Sequence, residues 1–186
     1  MIAMRSVLLA MLILSAVPAL AEDRPQGRKA QIDRLTSALK SAGNETEAAV
    51  LEGHLRQLWL DAGTPAVTLL MLRGLRELKG SPQEAEADFD GVIALDPNIA
   101  EAYDQRAVAR FQQGKFVAAI ADLEETLRRE PRNFMAYRHL AEIAEARQDW
   151  PGAFAAWQKL LALDPKTAGG EQKLEQLRRR VQGENT

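Results

Sequence analysis

The chain has 186 residues, 46 % of them apolar and 27 % charged, the proportions of a globular domain rather than of a disordered tail or a membrane bundle. Lysine plus arginine number 24 against 26 aspartate plus glutamate, so the concentrated positive field that nucleic acid requires is missing and no nucleic-acid partner is expected. Cysteine is absent, which excludes disulfides, thiolate–zinc sites, iron–sulfur clusters and thiol catalysis, and the only histidines are His54 and His139.

The first predicted element is an address. Arg5 supplies a positive start, and Ser6 to Val17 is a mostly apolar run without charge. Pro18 and the small-x-small triplet Ala19-Leu20-Ala21 follow, before the polar Glu22-Asp23. That is the anatomy of a secretory signal peptide. The apolar run is shorter than the ~18 to 20 residues needed to span a bilayer, which argues against an anchor. Residues 1–21 are therefore expected to be removed after Ala21, giving a periplasmic or secreted protein. No later stretch is apolar and long enough for a stable membrane span after cleavage. Residues 22–31 form a linker or the start of the first helix.

The remainder is periodic. Pro97, Pro131 and Pro165 are 34 residues apart, and they end the similar runs VIALDP, TLRREP and LLALDP. Tyr103 and Tyr137, Phe116 and Trp150, and Gly80 and Gly114 keep the same step. So do Ala85, Ala119 and Ala153, and Phe89, Leu123 and Trp157. Within each unit the apolar residues fall at helical spacing in two runs. A polar turn joins the runs at Lys79–Pro82, Gln112–Lys115 and Arg147–Pro151. Each unit is predicted to be a helix–turn–helix hairpin. Ser81, Pro82 and Glu84 form a predicted capping box, and Asp149 caps the corresponding later helix.

These residues resemble the tetratricopeptide repeat, a 34-residue unit with an aromatic, a leucine–small pair, a central alanine and a terminal proline. Residues 100–133 match through Tyr103, Ala107, Gly114, Phe116, Ala119, Leu123, Leu127 and Pro131. Residues 134–167 match through Tyr137, Leu140, Ala141, Trp150, Ala153, Trp157 and Pro165. Residues 66–99 match in their second helix, through Ala85, Phe89, Val92 and Pro97. The first helix of that unit is ambiguous by one position. A shift that pairs Arg73-Gly74 with Arg106-Ala107 is favoured, because glycine suits a close helix contact, at the cost of a shorter turn before Gly80. Upstream, residues 32–65 form a degenerate unit: Leu35, Ala38, Leu39, Ala42, Leu51, Leu55 and Leu58 land on repeat-core places, with Asn44 and Glu47 as a cap. Residues 168–182 carry a narrow stripe of Leu174, Leu177 and Val181, suited to a terminal capping helix. The expected fold is all-α, a right-handed α-solenoid of hairpins with a C-terminal cap.

Motifs for chemistry are sparse. Neither a Gly-rich phosphate loop, HExxH nor GxSxG is present, and no catalytic residue, metal or cofactor is expected. His139 and Glu142, i and i+3 on one helix, could join Glu101, Asp104 and Gln105 as a metal-dependent site; a solvated polar groove is the favoured reading. The resemblance implies a concave face lined by the first helix of each hairpin. On this chain its places are Glu101, Asp104, Gln105, Val108, Phe111, Arg138, His139 and Glu142, with Met71 and Leu78 in the loose unit. Apolar anchors beside directional polar groups suit a peptide segment. Family members that grip chaperone C-terminal carboxylates use lysine, asparagine and arginine; the matching places here hold Gln105, Met135 and His139, so that clamp is absent. The expected role is a protein–protein interaction scaffold of the periplasm or envelope, or an assembly chaperone there, with a protein or peptide partner.

N-terminal sequencing of the exported protein should begin at Glu22. An intact Met1 species in the inner membrane would show an anchor instead.

Overall fold

The computed structural model describes residues 25–60 and 63–183; the predicted signal peptide lies outside them. Those residues form nine α-helices and no strand. They are α1 Pro25–Lys40, α2 Glu45–Leu60, α3 Pro65–Glu77, α4 Pro82–Leu95, α5 Ala100–Gln112, α6 Phe116–Arg129, α7 Phe134–Ala146, α8 Trp150–Leu163 and α9 Gly170–Val181. No helix among the described residues is long and apolar enough to cross a membrane. The fold is a helical-repeat solenoid, with α3–α4, α5–α6 and α7–α8 as successive hairpins and α9 packed on α8.

Small residues allow the hairpins to close. Ala107, Ala119, Ala141 and Ala153 are all fully buried. In α3 the equivalent place is Gly74, where an added Cβ would stand 2.6 Å from the Phe89 ring. The favoured shift is therefore the observed register. Arg73 Nε donates to Asp88 Oδ2 at 2.7 Å, and Arg106 Nε donates to Asp122 Oδ2 at 3.0 Å, the same contact one unit later. The expected shorter turn is not observed: α3 ends early instead, and residues 78–81 separate it from α4, against 113–115 and 147–149 in the later hairpins. Gly114 and Gln148 take left-handed φ of +73° and 60° in the later turns, whereas Gly80 does not.

Caps follow the sequence with one exception. Asp149 accepts from the Gly152 N–H at 3.0 Å. Asn44 accepts from Glu47 N at 2.9 Å, while Glu47 reaches back to Gly43 N at 2.8 Å. Asn133 caps α7 through Ala136 N. The exception is Ser81, whose hydroxyl caps nothing: its φ of −137° and ψ of 68° depart from a capping geometry, and the start of α4 is fixed by Pro82 and backbone bonds. At the other end Leu177 is buried and Leu174 packs beside it, and Trp157 Nε1 donates to Gly170 O at 2.9 Å. Val181, expected in the same stripe, is 44 % exposed, because it lies in the last turn beyond the edge of α8.

The largest departure concerns the upstream unit. α1 begins at Pro25, and α1 and α2 do form a hairpin. Apart from the Leu60 end, that hairpin does not stack on α3 as a preceding repeat. It packs against α5 and α8. Its core, Ile32, Leu39, Ala48, Leu55 and Trp59, joins Phe134, Met135 and Leu163 of the third hairpin. The outer face of α3 is left bare, with Leu69 68 % and Leu72 58 % exposed. The repeat-like spacing reports an apolar stripe on each helix, and a stripe is buried equally well in either place.

Gly74→Ala should destabilise the chain by about 1–3 kcal/mol through overpacking on Phe89. Gly53→Ala, in a helix interior with nothing within 4 Å of the new Cβ, should stabilise it by about 0.5–1 kcal/mol. Urea titrations of both variants check the pair.

Candidate functional site

The first helices α5 and α7 lie side by side and form the face that the sequence nominates for binding. Part of that face is covered by the α1–α2 hairpin. The buried stripe of α2 is Ala48, Glu52, Leu55 and Trp59, spaced so that all four share one side. Trp59 packs tilted on Phe134, with ring centroids 5.5 Å apart. Thr167 Oγ1 donates to Glu52 Oε1 at 3.3 Å and accepts from Arg138 Nη2 at 2.7 Å. Gly169 N donates to Glu45 Oε1 at 3.3 Å, and Arg132 pairs with Asp33 of α1 as well as with Glu130.

The nominated residues divide into three groups. Met71 is fully buried between α3 and α4, and Leu78 packs on the same core, so these two are packing residues rather than groove lining. Phe111 is half-buried in the α5–α6 hairpin, its ring 5.9 Å from that of Phe116. Each sits on the side of its helix that meets the paired second helix. Glu101 and Asp104 are on the face but buried, at 5 % and 0 % exposure. Gln105, Val108, Arg138 and His139 are half-buried, and Glu142 is exposed.

Asp104, Glu101, Gln105 and His139 form a connected cluster. Asp104 Oδ1 lies 3.1 Å from His139 Nδ1, and Gln105 Nε2 donates to Glu101 Oε1 at 2.7 Å. Burial, then the charge of Asp104, pushes the Glu101 carboxyl up to about 8, against the Gln105 hydrogen bond and the charges of His139 and Arg56. Burial opposes protonation of His139, but the charge and hydrogen bond of Asp104 outweigh it and the net shift is upward. Among the described residues no three His, Asp or Glu side chains gather as a metal set.

A second acidic contact was invisible in the sequence. Asp164, fully buried at the end of α8, meets Glu52 of α2. Burial, then the neighbouring Glu52 carboxyl, pushes Asp164 up to about 7, against Thr167 and the Lys166 backbone. Trp59 Nε1, Glu101 Oε2, Asn133 Nδ2, Arg138 Nε and both carboxyl oxygens of Asp164 are buried there without a hydrogen-bond partner. Each such atom costs about 1–3 kcal/mol, so the seam is held by apolar burial and weakened by its polar groups. A cleft of about 140 Å³ opens beside it, lined by Arg28, Ile32, Leu58, Trp59, Ile99 and Glu101 among others.

A charged network ties the hairpins together elsewhere. Asp122, 3 % exposed, takes Arg106 and Arg110 of α5, and these reach Asp90 and Glu86 of α4. Burial raises Glu86, yet hydrogen bonds from Lys115, Arg110 and Gln113 prevail and hold it down at about 2.

Residues 105–168 match the family model described as tetratricopeptide repeat. A TPR repeat-containing protein of Rhizobium etli is 28 % identical over 159 residues, 85 % of this chain and 78 % of that protein. Among solved structures, the first TPR of Spaghetti (RPAP3) bound to the HSP90 peptide SRMEEVD superposes with a TM-score of 0.60 at 21 % identity, covering 64 % of this chain and 96 % of that one. The MamA protein superposes with a TM-score of 0.58 at 19 % identity, covering 86 % and 85 %.

The shifted groups set the pH dependence of stability. The fold keeps protons on Glu101 and Asp164 that the unfolded chain releases in the ordinary carboxyl range, so stability falls as pH rises from that range through about 7 to 8. The raised His139 acts in the same direction, its contribution being lost as pH rises past its folded value. Glu86 acts oppositely, its contribution being lost as pH falls towards about 2. The melting temperature should peak near about pH 5 and decline towards about pH 8.5. Glu101→Gln with Asp164→Asn should flatten the alkaline limb; an unchanged limb would contradict the assignment.

Proposed function

We propose that the chain, a tetratricopeptide-repeat protein, is a non-catalytic interaction module of the periplasm or cell envelope that binds a segment of a partner protein on its α5–α7 face. One observation carries the reading: that face already holds a helix. α2 lays Leu55 and Trp59 against Phe134 and Met135, with Arg132, Arg138 and Thr167 as polar contacts at the seam. A surface that seats a helix of its own chain has the shape and chemistry to seat one from another protein. Support comes from the Spaghetti domain, which holds a peptide on the same fold. The envelope location rests on Arg5, the apolar run and Ala19-Leu20-Ala21. The partner is not gripped by a terminal carboxylate, since Gln105, Met135 and His139 occupy the places a cationic clamp would need.

A photoreactive amino acid at Glu142, exposed beside the seam, should crosslink a partner in exporting cells. The same group at Ala121, exposed on α6, should not. Crosslinks from Ala121 alone would move the binding surface to the second helices.

A further inference from the structure

The α1–α2 hairpin fits its seat well in apolar shape and badly in charge. Glu52 sits inside the buried stripe of α2, between Ala48 and Leu55. It pairs along its own helix with Arg56, at 3.6 Å, and faces Asp164 across the seam. Asp164 is fully buried with both carboxyl oxygens lacking a hydrogen-bond partner and has no ion pair among the described residues, the nearby Thr167 hydroxyl being engaged by Glu52 and Arg138. Glu101 continues the acidic line, with Asp104 and Gln105 from α5, His139 from α7 and Arg56 from α2 around it, and its Oε2 without a partner. Arg28, Arg129 and Glu130 stand around the cleft beside Glu101. Two buried carboxyls thus look towards a helix that answers with a third.

We propose that the preferred occupant of this seat is an amphipathic helix of a partner protein with a lysine or arginine inside its apolar stripe, and that the α1–α2 hairpin is a mismatched occupant which that helix displaces. The proposal rests on the reading of the α5–α7 face as the binding surface. A cation at the place of Glu52 meets the carboxylate of Asp164, where the hairpin brings a like charge. Phe134, Met135 and Leu163 receive the apolar residues of the incoming helix, as they now receive those of α2. The hairpin competes best in acid, where Asp164 keeps its proton, and loses ground as that proton leaves. Its occupancy lowers the apparent affinity of the partner by the fraction of open molecules.

The test uses a labelled peptide with the sequence of residues 45–60 and the same peptide with Glu52→Lys, titrated by anisotropy into the chain and into its Trp59→Ala variant. At about pH 8 the lysine peptide should bind the Trp59→Ala chain at least about tenfold tighter than the glutamate peptide, and tighter than it binds the unaltered chain. The preference should shrink at about pH 5.5 and vanish in Asp164→Asn. Hydrogen exchange should show α1–α2 losing protection as the lysine peptide binds, with α5–α8 unchanged. Should Trp59→Ala fail to fold, Asp33→Ala removes only an exposed rim pair with Arg132 and serves instead. Equal affinities at about pH 8 overturn the choice of a cationic helix. Binding without loss of protection overturns displacement, and a concentration-dependent dimer of the variant gives the seat to a second copy's hairpin. Failure of both peptides on every chain overturns the underlying reading of the face as a binding surface.

Discussion

Everything in this molecule follows from how closely two helices of a hairpin approach one another. At Gly74, Ala107 and Ala141 the contact has room for a hydrogen or a methyl group, and the facing second helix supplies Phe89, Ala119 or Ala153. That approach sets the angle within a hairpin, and the angle repeated three times sets the curve of the face made by α5 and α7. Arg106 and Arg110 then lock one hairpin to the next by reaching carboxylates on both sides. Positioning of Glu101, Asp104 and His139 on a shared face is a by-product of this stacking, since residues far apart in sequence become neighbours once the hairpins are in register.

Local features were legible because their causes are local. Alanines at a fixed step report helix contact, and prolines at the same step report where a second helix stops. Asn44 and Asp149 cap because a side chain three residues ahead of an N–H reaches it whatever the rest of the fold does, and Glu47 reaches back as locally to Gly43 N. The shift at Gly74 was decidable for the same reason: an arginine followed by a small residue recurs in two successive units, as Arg73-Gly74 and Arg106-Ala107. Ser81 failed as a cap: with φ of −137° and ψ of 68° it makes no side-chain hydrogen bond to the start of α4.

What the sequence concealed is which of two apolar surfaces a hairpin will choose. The core residues of α1 and α2 satisfy the repeat pattern, yet they pack against Phe134 and Leu163. Nothing in the spacing distinguishes the two outcomes. For the same reason Met71 and Leu78 read as groove residues and are core, and Asp104 read as exposed and is sealed. The Glu52–Asp164 contact had no signal at all, because two carboxyls in unrelated stretches meet only after the hairpin has turned inward. A faint hint did exist in Glu52 itself, a charged residue in line with Ala48, Leu55 and Trp59 on an otherwise apolar stripe.

The seam also imposes an order in time. Contacts that build each repeat join residues near one another along the chain, such as Arg106 with Asp122, 16 apart. Contacts that seat the hairpin span 99, 115 and 124 positions, from Arg132 to Asp33, Thr167 to Glu52 and Gly169 to Glu45. Closing such long loops carries an entropic penalty that short ones escape, and the surface they close on exists only when α7 and α8 are in place. On a ribosome the hairpin emerges before the repeats and must wait for them. The repeats condense, and docking of the hairpin is the last event of folding and the first to be undone.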